Sequence, residues 1–87
     1  MNRKEKLNIL KVSLAKVVRE LCNNKAPTTL AVEYGLSSST MSQILQKKKD
    51  PQISTFIKIS EALGKEPWVV MKMVMEGTPK GFKLTEE

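Results

Sequence analysis

The sequence contains no histidine and only one cysteine, Cys22, among its 87 residues. Zinc sites of the usual spacing and histidine-based acid–base chemistry are therefore excluded, and Cys22 has no partner for an internal disulfide. The four glycines are scattered, so the chain has no glycine-rich phosphate loop. These absences predict that the chain is not an enzyme and that it uses neither a metal nor a cofactor.

Long apolar runs are also missing. No stretch reaches the 18 residues or more that a membrane span needs, so no membrane contact is expected. The basic segment at residues 1–6 is followed by a stretch that Lys11 and Lys16 interrupt, which does not fit a signal peptide. Together with the single cysteine, this pattern predicts a cytoplasmic protein.

The charge balance is strongly basic. Fifteen Lys and Arg residues against nine Asp and Glu residues give a net charge of +6, and the pI is about 9.6. Seven of the basic and two of the acidic residues fall within residues 1–25, so most of the excess lies there. A chain of this sign favours polyanions, and nucleic acid first among them.

Apolar spacing predicts an all-α fold in a chain long enough for one small domain. The clearest stripe recurs at intervals of three and four: Leu7, Leu10, Leu14, Val17, Val18 and Leu21. We expect helices at about 4–23, 27–34, 38–47, 53–63 and 67–76, within a domain at 1–77 that is followed by a tail at 78–87. Tyr34, Ile53 and Ile57 are expected to point inward from the second and fourth helices.

Residues 27–46 have the pattern of a helix-turn-helix. Ala31 is small where two helices must cross closely, and Gly35 suits a turn that needs a positive φ. Leu36 is expected to fill the turn, and Met41 and Ile44 to anchor the second helix on the first.

The stretch from Leu30 to Ile44 resembles the core of the Cro/CI-type (Xre family) helix-turn-helix domains. The stretch from Pro51 to Gly64, with its terminal Ala-Leu-Gly, is similar to the same family, and the resemblance covers about 14–76. It implies a five-helix, lambda-repressor-like DNA-binding domain that works as a homodimer. Three positions depart from the family, which often has Glu at Leu45, Gly at Lys47, and Ser or Thr at Ala26.

If the second helix of this motif enters the major groove with its N-terminal end first, its early exposed residues face the base edges. The predicted base contacts are Ser38, Ser39, Ser42 and Gln43, among which the Gln43 amide suits a bidentate bond to adenine. The predicted phosphate contacts flank this surface: Thr28, Thr29, Thr40, Gln46, Lys47, Lys48 and Lys49. For Arg3, Lys4 and Lys6 two interpretations stay open, a DNA-binding arm and a solvated leader.

The fifth helix carries more apolar residues than one buried face needs. We expect the surplus to form a dimer interface from Trp68, Val70, Met71, Met73 and Val74. Cys22 lies near the edge of the first helix's stripe and is expected to be a buried or half-buried thiol.

These patterns predict a sequence-specific regulator of transcription, a repressor of bacterial or phage type, that binds a pseudo-palindromic site on double-stranded DNA as a homodimer. Two alternatives stay open. In the first, the chain is the antitoxin of a toxin–antitoxin pair, with a toxin protein as a further partner. In the second, it is a protein-interaction adaptor that keeps the fold as a scaffold.

Overall fold

A computed structural model describes residues 2–23 and 25–85. Within these ranges the chain forms five helices and no strand, so the predicted all-α class with five helices is confirmed. The helices are α1 (Arg3–Leu21), α2 (Pro27–Glu33), α3 (Ser38–Leu45), α4 (Ile53–Ala62) and α5 (Pro67–Glu76). None of the described helices is both long and apolar enough to cross a membrane.

The helix starts follow from local chemistry. The side chain of Asn2 accepts a hydrogen bond from the backbone N–H of Glu5 at 2.9 Å, which caps α1. Pro27 and Pro67 open α2 and α5, where a residue without an N–H costs nothing. Two interpretations were open for Arg3, Lys4 and Lys6, an arm and a solvated leader. Both are wrong, because α1 begins at Arg3. These residues form the first turn of a helix.

Two helices end two residues earlier than their predicted limits. α1 ends at Leu21, because Asn23 adopts the left-handed conformation with φ +56°. α3 ends at Leu45, because Lys47 does the same with φ +62°. Asn24, between the end of α1 and the start of α2, lies outside the described residues.

The hydrophobic core draws on every helix. α1 packs on α3 and α5, α2 packs on α3 and α4, and α4 packs on α5. The largest fully buried side chains are Met41, Ile44, Ile59, Val18 and Val70. α1 thus forms a central support on which α3 rests.

Three side chains expected to point inward lie at the surface instead. Ile53 is 80% exposed and Ile57 is also exposed, because α4 turns Phe56 and Ile59 toward the core. Tyr34 is exposed because α2 has already ended, and the chain turns at this residue.

A hydrogen bond ties α1 to α5. The Ser13 hydroxyl donates to the carbonyl of Val74 at 2.6 Å in a buried setting. Gly77 lies against the same hydroxyl, so closely that a side chain there would collide with it. The small size of Gly77, rather than its backbone conformation, is what this contact requires.

Candidate functional site

The turn between α2 and α3 is closed by two backbone hydrogen bonds. The N–H of Leu36 donates to the carbonyl of Ala31 at 2.8 Å, and the N–H of Gly35 donates to the carbonyl of Val32 at 3.2 Å. This pair of bonds is the Schellman arrangement, and it requires the left-handed φ of +79° that Gly35 adopts. Ala31 and Leu36 are buried on either side of the turn, which fixes how α3 leaves α2.

The first turn of α3 is capped by Ser37. Its Oγ accepts from the backbone N–H of Thr40 at 3.0 Å and donates to the Thr40 hydroxyl at 2.8 Å. A cap of this kind satisfies one of the free N–H groups at a helix start and keeps the turn from fraying. The residues that follow Ser37 are therefore held in a defined orientation.

The two faces of α3 differ sharply. Met41, Ile44 and Leu45 are buried, and α3 packs through them on α1 and α2. Of the residues predicted to contact bases, Ser38, Ser39 and Gln43 are exposed.

Ser42, the fourth predicted base contact, is less accessible to a ligand than the other three. Ser42 is half-buried, and its hydroxyl accepts from the Gln46 amide at 3.1 Å. Ser39, Gln43 and Gln46 are spaced by four and three residues, so they form one exposed strip.

The residues predicted to contact phosphates fall into three groups. Thr28 and Thr29 lie at the start of α2, where Ala26 offers no side-chain cap. Lys47, Lys48 and Lys49 follow α3 and are exposed. Thr40 is half-buried beside Ser37, and exposed Gln46 is bonded to Ser42.

Sequence reasoning missed a basic groove beside the end of α3. We call it the α1–α3 groove; it measures about 530 Å³ and is lined by Arg3, Lys4, Leu7, Asn8, Lys11 and Lys47. Four of these residues are cations and none is a carboxylate. The available signal was the spacing of Lys4, Asn8 and Lys11 at intervals of four and three, which puts them on one face of α1.

The predicted dimer interface on α5 is partly wrong. Val70 and Val74 are only 0% and 2% exposed, because they pack into the core of the single chain and cannot reach a second one. Trp68 and Met71 are exposed and Met73 is half-buried. Met71 also borders an apolar groove of about 410 Å³, together with Leu10, Leu14, Phe56, Met75 and Leu84 among other residues.

Cys22 is a buried core residue that packs with Val18 and its neighbours. Burial raises the pKa of its thiol, and the nearby positive charge of Arg19 opposes this effect only in part. The thiol is therefore protonated at neutral pH, which leaves it a poor nucleophile.

No protein-family model, curated protein or solved structure matches the chain.

Proposed function

We propose that the chain is a sequence-specific, DNA-binding regulator of transcription, a repressor that binds a pseudo-palindromic site as a homodimer. In this proposal α2, the turn and α3 form a helix-turn-helix, and α3 enters the major groove. The exposed polar strip of α3, held on a buried apolar face by a Schellman turn and a serine cap, is the observation that carries the proposal.

The dimensions and chemistry of α3 support a reading role. An α-helix with its side chains is about 10–12 Å in diameter, which suits the width of the major groove, and the eight residues of α3 extend about 12 Å along its axis. Gln43 is exposed, and its amide can both donate and accept, as the edge of adenine requires. Ser38 and Ser39 are short and can either donate or accept, so they add contacts with little discrimination of their own.

The lysines after α3 support binding to the DNA backbone. Lys47, Lys48 and Lys49 are exposed, and they directly follow the strip that would read bases. Cations in this position neutralise phosphates and fix the register of a reading helix without contributing sequence information.

A second copy of the chain would cover the apolar surface on α5. Trp68 is 69% exposed and Met71 is 43% exposed, and their spacing of three residues puts them on one side of the helix. Exposed apolar side chains of this size are typical of protein contacts. Two copies related by a two-fold axis would present their α3 helices to half-sites about one helical turn apart.

Selection of bound duplexes from a random pool, followed by affinity measurements on Gln43→Ala, tests the reading role. We expect a two-fold symmetric motif, and a loss of roughly 1–3 kcal/mol on the selected site with little change on random DNA. Gln52→Ala is the matched control, since Gln52 is exposed at the start of α4 and its side chain does not cap that helix. Equal losses on both duplexes for Gln43→Ala would contradict the proposal.

Sedimentation of Trp68→Glu tests the dimer. A charge at this position would have to be buried without a partner in the interface, so we expect the mass to fall from that of a dimer to that of a monomer. Val32→Glu is the control, because Val32 is another exposed apolar residue, on α2. An unchanged dimer in Trp68→Glu would exclude this side of α5 as the interface.

A further inference from the structure

We propose that the α1–α3 groove is a phosphate site, which takes a phosphodiester group of the same DNA whose bases α3 reads. This inference rests on the proposed function and extends it, because it gives α1 a direct role in binding. The groove brings together Arg3, Lys4 and Lys11 from α1 with Lys47 from the end of α3.

The side of the groove on α1 is preorganised. The cap made by Asn2 holds Arg3 and Lys4 in the first helical turn. Lys11 lies about two turns after Lys4 on the same face of α1, roughly 10 Å from it along the helix axis. Cations on a formed helix lose less conformational freedom on binding than cations on a mobile arm, so more of their attraction appears as affinity.

Charge in the groove has one sign only. The lining residues comprise four cations, the neutral Asn8 amide and the apolar Leu7, with no carboxylate among them. Arg3 can form two parallel hydrogen bonds to one phosphate, and the lysines act as point charges around it. A second groove lies next to it along α1, where Lys47 lies near Lys16 and Arg19, but this second groove also contains the carboxylate of Glu20.

Lys47 gives an independent reason to assign a role to the groove. It sits in the left-handed conformation, with φ +62°, which disfavours any residue that has a Cβ. The same turn closes α2 and α4, where the corresponding residues are Gly35 and Gly64. A strained residue that lines a cationic groove indicates that the side chain, rather than the backbone, is what this position provides.

Lys47→Gly separates these two contributions. Glycine relieves the strained φ, so we expect the melting temperature to rise by a few degrees. The affinity for both selected and random DNA should fall by about fivefold near 0.15 M salt, and the slope of log K against log salt should shrink by about one. A merely structural role for Lys47 would make stability and affinity change together.

A second groove variant and its control test the contribution of α1. Lys11→Gln removes a groove cation without a change of backbone preference, and we expect the same loss of affinity and of salt slope. Lys58→Gln is the matched control, since Lys58 is exposed on α4 and does not line the groove. It should leave both quantities close to those of the unchanged chain.

A titration with inorganic pyrophosphate, followed by amide shifts in nuclear magnetic resonance, distinguishes failure of the groove from failure of the proposed function. We expect shifts at Asn8, Lys11 and Lys47 that Lys47→Gly removes, together with the DNA losses above. If pyrophosphate shifts these amides but no duplex binds, the proposed function fails and the groove takes free phosphate compounds instead. If a duplex binds and Lys47→Gly changes neither affinity nor salt slope, the groove proposal is overturned and the reading role of α3 stands. If neither probe binds, both are overturned.

Discussion

The ends of α2 and α3 have the same backbone geometry and opposite surroundings. Each closes with a Schellman pair, in which a residue of positive φ donates to a carbonyl three residues back and its successor donates to one five back. At α2 the two residues are Gly35 and Leu36, and Leu36 is buried against the core. At α3 they are Lys47 and Lys48, and both are exposed. The turn after α2 therefore serves packing. The turn after α3 holds Lys47 at a φ that is unfavourable for a residue with a Cβ, and it leaves two cations exposed.

α3 connects the two turns as a rigid element. Ile44 provides this rigidity, because its side chain is 1% exposed and its carbonyl accepts from Lys47 at 3.0 Å. Ile44→Ala should lower the free energy of unfolding by about 2–5 kcal/mol in urea denaturation, since it leaves a cavity in the core. Ile53→Ala is the control, and at 80% exposure of Ile53 it should change stability by less than about 0.5 kcal/mol. Similar losses in the two variants would show that α3 is not anchored as described.

Local patterns predicted much of this region. Ala31 was expected at a close crossing and Gly35 at a positive φ, and the structure has them there. Each of these features depends on residues within about five positions in the chain, so periodicity and turn chemistry are sufficient to identify them.

Two of the errors occurred where segments distant in the sequence decide the outcome. Val70 and Val74 were expected in a dimer interface, and only the packing of α5 on α1 and α4 shows that they are core residues. The α1–α3 groove escaped prediction because Lys11 and Lys47 are far apart in sequence and meet only in the folded chain. The residue type of Lys47 did not indicate a left-handed turn, since residues other than glycine, asparagine and aspartate rarely adopt one. Only the family resemblance, with glycine often at this position, pointed to it.

A substitution at Gly35 sharpens the contrast between the two turns. An added Cβ would meet no other atom within 4 Å, so any loss reflects the backbone alone. We expect Gly35→Ala to destabilise the fold by about 1–2 kcal/mol, because φ +79° is costly for alanine. Gly64→Ala, at φ +72° and with equally open space, should lose a similar amount in the same urea titration. A neutral Gly35→Ala would show that a left-handed φ costs little in this fold, and therefore that Lys47 is not strained at φ +62°.

The smallest expected effect concerns the start of α3. Ser37→Ala removes the oxygen that accepts from the Thr40 N–H, which should cost about 1 kcal/mol of stability, whereas Ser37→Asp should retain most of it. Gln52 begins α4 without such a bond, so Gln52→Ala should leave stability unchanged and serves as the control. In Ser37→Ala the first turn of α3 frays, and Ser38 and Ser39 lose their fixed orientation while the lysines beyond the helix are untouched. Binding to a selected site should therefore weaken more than binding to random DNA, and an equal loss on both would show that the two ends of α3 do not act separately.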